Sequence, residues 1–196
     1  MLAMMKRIIL ASQSPRRLQL LSQIGVEGIV QPADVDESEL PNESPKNYVL
    51  RLAIAKVQAI SAMHADELKM PILAADTTVA LTGHIFGKPQ DDSDAAAMLR
   101  TFSGCTHEVH TAIAVATPKR ILNAVNTTQV TFCALSDAMI AAYIATGEHR
   151  DKAGSYGIQG YAGAWVQHIA GSYTGVMGLP LYETAQLLTL AQPDFE

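Results

Sequence analysis

The chain has little cysteine, no long apolar run, no surplus of positive charge and no internal repeat, and each lack narrows what it can be. Its two cysteines, Cys105 and Cys133, stand at no metal-ligand spacing and supply no disulfide framework. Both lie in apolar, strand-like surroundings and are expected to be buried small residues. The six histidines show no paired metal-ligand spacing either. The apolar stretch after Lys6 and Arg7 stops at Ser12, too short for a signal-peptide core or a membrane span, and no other stretch reaches membrane length. A soluble, cytoplasmic protein without a membrane partner is expected, with Met4 or Met5 as an alternative start. A formal net charge of −5 excludes a nucleic-acid footprint spread over the whole surface. An anionic ligand must therefore be met by a local concentration of the 14 Lys and Arg residues.

What is present is an ordinary globular composition, 48% hydrophobic and 17% charged over 196 residues, enough for one domain or one domain with a modest second lobe. Strand-like and helix-like segments alternate. Arg7 to Ala11 reads as a buried strand, and Pro15 to Ile24 as a helix stopped by Gly25. Ser44-Pro45 starts a second helix whose stripe holds Val49, Leu52, Ala53, Lys56, Val57 and Ile60. Pro71 to Ala75 predicts a strand ending at Asp76, and Val79 to Phe86 a hairpin turning at Thr82-Gly83. Asp91 to Phe102 predicts a helix; Val109 to Ala116 and Ile121 to Phe132 predict two long strands. A helix capped by Ser136, a glycine-rich loop, a strand from Trp165 to Ile169 and a last helix opened by Pro180 complete the pattern. Such alternation predicts an α/β sandwich around a mixed sheet.

Four constellations carry chemistry. In Ser12-Gln13-Ser14-Pro15-Arg16-Arg17, Ser14 at the N-cap and Pro15 in the first turn leave backbone N–H groups free at a helix start. That end already bears about half a positive charge, so two arginines there suit a bound anion, most naturally a phosphate. A solvated pair of arginines on a capped helix is the plainer alternative. Asp76, at the close of an apolar strand in Ala75-Asp76-Thr77-Thr78, suits a carboxylate that holds a divalent cation or takes a proton from water; a turn aspartate bonded to its own backbone is the rival. Gly87-Lys88-Pro89 returns a lysine toward the same edge, and Lys56 is a single cation on an apolar stripe, where snorkelling to solvent is the common outcome. The acidic run Asp34, Asp36, Glu37 and Glu39 is a solvated linker or the source of a second oxygen ligand. In Asp151-Lys152-Ala153-Gly154-Ser155-Tyr156-Gly157-Ile158-Gln159-Gly160, the glycines permit close backbone approach, and Gln159, expected to be partly buried, offers an amide to a base edge.

Together with Gly171-Ser172-Tyr173-Thr174-Gly175-Val176-Met177-Gly178-Leu179-Pro180-Leu181, these motifs resemble the Maf family, the septum-formation-inhibitor-like nucleoside triphosphate pyrophosphatases. The resemblance runs from about Arg7 to Leu188 in unbroken order. It implies an elongated mixed α/β fold related to inosine-triphosphate pyrophosphatases, two lobes about a cleft in a single domain over residues 1–196, and often a homodimer. It implies cleavage between the α- and β-phosphates with a divalent cation, magnesium or manganese. Arg16, Thr77 and Gln159 match the subgroup acting on dTTP and UTP, whereas the 7-methyl-GTP subgroup's tryptophan, Asp-Gln and Glu are missing from the corresponding motifs. His149 stands where the family often has proline, and Gly175 where asparagine is usual.

On this reading Ser12, Ser14, Arg16, Arg17, Lys56 and Lys88 bind the polyphosphate, Thr77 and Gln159 meet the base, and Asp76, with Glu37, holds the metal or activates the attacking water. The two roles of Asp76 are not separable in the sequence. Nor does Gln159 choose a base alone, since its amide flips and the hydroxyl of Thr77 both donates and accepts. The pyrimidine preference comes from the resemblance. A non-catalytic nucleotide-binding regulator of division, and a pyrophosphatase for another or a modified nucleotide, are the competing readings.

Overall fold

A computed structural model describes residues 5–64 and 68–195; the alternative start Met4 lies outside the described residues. The sheet has seven strands: β1 (Arg7–Leu10), β2 (Glu27–Val30), β3 (Ile72–Leu81), β4 (His84–Phe86), β5 (Thr106–Ala116), β6 (Ile121–Phe132) and β7 (Val166–Ala170). Their order is β2-β1-β3-β5-β6-β7, with β4 also on β3. β1 runs parallel to β2 and β3, and the remaining pairs are antiparallel, so the sheet is mixed as expected. Helices α1 (Pro15–Gln23), α2 (Pro45–Met63), α3 (Asp92–Phe102), α4 (Asp137–Thr146), the short α5 (Tyr173–Val176) and α6 (Leu181–Ala191) flank it. No described helix is long and apolar enough to cross a membrane.

Period-two alternation divides the core. Ile9, Ile72, Ala74, Ala112 and Ala114 point to one face and pack with Val49, Ala53, Val57 and Ile60 of α2. The alanines on this face let the helix axis come close to the sheet. Ile8, Leu10, Leu73, Ala75, Ile113 and Val115 point the other way, into a larger core with Leu20, Leu21, Leu99, Phe102, Ile140 and Leu188.

Three elements differ from the sequence expectation. β3 does not end at Asp76 but runs unbroken through Thr77, Thr78 and Val79 to Leu81, paired with β5 from Ile72↔Ala116 to Ala80↔Glu108. β-branched threonines extend a strand readily, and Lys56 offsets the burial of the aspartate. β2 was not foreseen, being four residues long, largely exposed and interrupted by Gly28. Cys105 and Cys133 are only half-buried, because both lie just outside the strand ends where the sheet gives way to turns.

The strand overlap leaves a gap. On the edge of β3 opposite β5, β1 pairs only at Ile72 and Leu73, and β4 only from Val79 to Leu81. Residues 74–78 of β3 lie between these two partners, and the segment from Ser12 to Arg17 leads off the end of β1 beside them.

Candidate functional site

Asp76 and Thr77 occupy this gap and, as neighbours on a strand, face opposite ways. Asp76 shares the orientation of Ile72 and Ala74, toward α2. There Lys56 Nζ donates to Asp76 Oδ1 at 2.6 Å and lies 2.6 Å from Glu37 Oε1. Lys56 therefore does not snorkel; it is buried, as is Asp76, while the Glu37 side chain is half exposed. Glu37 sits in the loop before α2, and that loop is clipped to the helix on either side of it. Tyr48 Oη donates to the Glu37 carbonyl at 2.9 Å, and Arg51 donates to the Ser38 carbonyl while pairing with Glu43. From the acidic run the fold thus selects Glu37; Asp36 accepts from the Ser38 N–H, as a turn aspartate does.

Thr77 faces the other side, toward α1 and α5. Arg17 is tied down by three hydrogen bonds: Nε to the Gly178 carbonyl (2.8 Å), Nη1 to Ser12 Oγ (3.0 Å) and Nη2 to Thr77 Oγ1 (3.3 Å). Gly178, at φ +105°, takes a backbone conformation that side-chain-bearing residues rarely adopt, and this places its carbonyl on Arg17. Ser12 Oγ also accepts the Ser14 N–H (3.2 Å). Ser14 stands at the N-cap as expected, yet its own side chain caps nothing; Pro15 has no N–H and the Arg17 N–H donates to the Ser14 carbonyl (3.2 Å), so in the first turn of α1 the Arg16 N–H is the one left uncapped among the described residues.

The electrostatics join the two sides. Burial raises the Asp76 carboxyl above the ordinary carboxylate range, against the opposing charges of Lys56 and Arg17 and with Glu37 adding to the rise. Burial also works to raise Glu37, but the hydrogen bond and charge of Lys56, with Lys88 and Arg17 behind it, hold it below its usual value. Burial lowers the Arg17 guanidinium, with Asp76 opposing and Arg16 reinforcing. Lys56 and Arg17 thus bear on both carboxylates, Lys88 on Glu37, and Arg16 on Arg17 beside it. Arg17 and Lys56 are committed to internal partners, whereas Arg16 and Lys88 form no hydrogen bond or ion pair among the described residues.

Gln159 is the outlier. It is exposed rather than partly buried and has no side-chain bond to the cluster among the described residues; it stands third in the four-residue turn Gly157 to Gly160, closed by the Gly160 N–H donating to the Gly157 carbonyl. Its loop does reach the site region. The Gly154 N–H donates to the Gly87 carbonyl (3.0 Å), next to Lys88, and Gly154 at φ +66° lies so close to Val79 that a Cβ would meet Cγ2 at 2.7 Å. Lys152, passed over as a site residue although its motif was noticed, bonds the Glu148 carbonyl and is lowered by burial and by the charge of Arg16. Thr111, which accepts from or donates to Thr77 at 3.0 Å, carried no local sequence signal; only strand register brings it there. His149, at the departure from the family's proline, is buried with Nε2 2.9 Å from Asp92 Oδ1.

Cations gathered around a buried carboxylate, beside a helix start with an uncapped N–H, define a protein that handles phosphate-bearing ligands. Comparison with known proteins gives the family. A family model described as Maf-like protein matches residues 7–191, and the chain belongs to that family. It is 56% identical over 184 residues to the dTTP/UTP pyrophosphatase of Methylobacillus flagellatus, covering 94% of this chain and 92% of that one. It is 52% identical over 186 residues to the dTTP/UTP pyrophosphatase of Chromobacterium violaceum, covering 93% of each. Among solved structures, the Ham1 protein of Staphylococcus aureus overlaps partially, with a TM-score of 0.45 and 18% identity over 67% of this chain and 73% of that chain.

Proposed function

We propose that this chain hydrolyses dTTP and UTP, and modified pyrimidine nucleotides of the same base pattern, to the monophosphate and pyrophosphate. The names of its Maf relatives support the reaction and the substrates. The observation that carries the chemistry is the Asp76–Lys56–Glu37 bridge, buried at its Asp76–Lys56 end and with both contacts at 2.6 Å, alongside two cations that have no internal partner. A triphosphate brings about four negative charges, which Arg16 and Lys88 are free to meet, together with the Arg16 N–H at the start of α1. Arg17 and Ser12 act differently: their mutual bond fixes the start of α1 that presents Arg16. Lys56 opposes the burial that raises the Asp76 carboxyl, favouring the carboxylate form that takes a proton from a water aimed at the α-phosphorus.

The donor set also fits a divalent cation. Each carboxylate spends one oxygen on Lys56, Asp76 through Oδ1 and Glu37 through Oε1, leaving a second hard oxygen on each. No group of three or more His, Cys, Asp or Glu residues makes a complete cage among the described residues. Magnesium and manganese suit such a site, since magnesium is commonly held by one or two carboxylates plus substrate phosphates. When bound, the ion would supply charge stabilisation at the phosphate oxygens and orient the water. Thr77 and Gln159 are assigned to the base. Membership in the Maf family supports a homodimer acting in the cytoplasm to cleanse the nucleotide pool. A regulator that only binds nucleotide has no need of a buried carboxylate beside its phosphate site, and this favours the enzyme.

The test is a panel of nucleoside triphosphates with magnesium or manganese, assayed for pyrophosphate. The wild type should favour dTTP and UTP, and Asp76→Asn should lose turnover while still binding nucleotide. Retained turnover in that variant removes Asp76 from the chemistry.

A further inference from the structure

A hydroxyl has one proton to donate, so a chain of hydroxyls has a direction wherever one end is fixed. Here both ends are fixed. Arg17 Nη2 is only a donor, so at 3.3 Å Thr77 Oγ1 accepts from it. The Gly175 carbonyl is only an acceptor, so at 2.8 Å Thr111 Oγ1 donates to it. Thr111 then has no proton left for Thr77, and the 3.0 Å contact between their hydroxyls requires Thr77 to donate. The reverse arrangement would place the Thr111 and Gly175 oxygens 2.8 Å apart with no proton between them. Thr111 is buried, and it is the direct cross-strand partner of Thr77, so the relay lies within the sheet and α5 rather than in a mobile loop.

We infer that Thr111 is a positioning residue that fixes the polarity of Thr77, making Thr77 a pure acceptor toward any ligand. With its proton committed to Thr111 and one lone pair facing Arg17, the half-buried Thr77 offers a ligand only its remaining lone pair. A base that meets it must therefore bring an N–H. At N3 uracil and thymine carry one, whereas cytosine has an unprotonated acceptor there and donates only from its 4-amino group, so a Thr77 facing N3 favours uracil and thymine. The selection that a free threonine could not make is made by its neighbour. This rests on the dTTP/UTP reading and on Thr77 facing N3 of the base.

The measurement is kcat/KM for UTP and CTP with the wild type, Thr111→Val and Thr111→Ser, with a thermal melt of each. Valine keeps the shape and removes the hydroxyl, freeing Thr77 to rotate and donate. The UTP-to-CTP ratio should fall by about tenfold, the usual worth of one hydrogen bond in discrimination, mostly through KM. Serine should restore the wild-type ratio. If valine is not accommodated, Thr111→Ala, which leaves a small void, should show the same fall. A folded valine or alanine variant with the wild-type ratio overturns the inference. A wild type with no preference for UTP over CTP overturns the dTTP/UTP reading instead.

Discussion

Replacing Lys56 by Met should destabilise the free protein before any substrate is considered, and by an amount that depends on pH. Methionine preserves the length and apolar character of the lysine stem among the α2 residues, so packing changes little. The loss is electrostatic. Lys56 and Asp76 are both buried and 2.6 Å apart, and removing one member of such a pair leaves the other charge uncompensated, at about 3–5 kcal/mol. For a chain of this size each kcal/mol moves Tm by about 2–4 °C, so Lys56→Met should melt about 10 °C lower near pH 8. Burial already raises the Asp76 carboxyl, and loss of Lys56 removes the main opposing charge and pushes it further up. As pH falls the carboxyl protonates and the deficit should shrink. The double variant Lys56→Met/Asp76→Asn should recover much of the loss at pH 8, as read by urea unfolding of the four members of the cycle. Glu37 provides a contrast: its side chain is 50% exposed, so Glu37→Gln should cost at most about 1 kcal/mol of stability while turnover falls. If the single and double Lys56 variants prove equally unstable at pH 8, the buried pair is not coupled and the account of the site's electrostatics fails.

His107 gives an acid-side prediction. It is buried among Phe102, Phe132 and Tyr156, with Nε2 2.8 Å from Tyr156 Oη, and desolvation pushes it down to about 4 from an ordinary 6.5. The unfolded chain takes up this proton below pH 6.5 and the folded one only near pH 4, so stability is lost as pH falls through that window and levels off below it. The difference amounts to about 3 kcal/mol; urea titrations from pH 7.5 to 4 should show it, and His107→Gln should have a correspondingly flatter profile. The two arginines should separate cleanly. Arg17→Ala removes three internal bonds and should cost about 2–4 kcal/mol in unfolding experiments, as well as activity. Arg16→Ala should leave stability within about 0.5 kcal/mol and raise KM for the triphosphate, measured by steady-state kinetics.

Much of the fold was legible because its signals are local. The stripe of α2 named Val49 through Ile60 and correctly set Lys56 among them, and proline after serine marked the starts of α1 and α2. β3 was cut short because an aspartate in an apolar run reads as a terminus; what allows it to sit mid-strand is Lys56, twenty positions away and on another element. The candidate site was legible as a set of motifs but not as a division of labour. Nothing local distinguishes Arg16 from Arg17, although one is unpartnered and the other tied at three points. Thr111 and the clip formed by Tyr48 and Arg51 were invisible, since their meaning lies in register and in a loop's path. Gln159 was placed too deep because glycine and apolar neighbours suggest burial, whereas a tight turn can turn one side chain outward.

The interval in β3 between its two short partners has a consequence for ligand design. A molecule lodged there meets carboxylates from the α2 side and a guanidinium with hydroxyls from the other, so it is read front and back by one strand. Tight, selective inhibitors would have to be two-faced, cationic or metal-bearing on one surface and, on the other, accepting toward Arg17 while donating an N–H toward Thr77, and a compound built for either face alone would forgo half the grip.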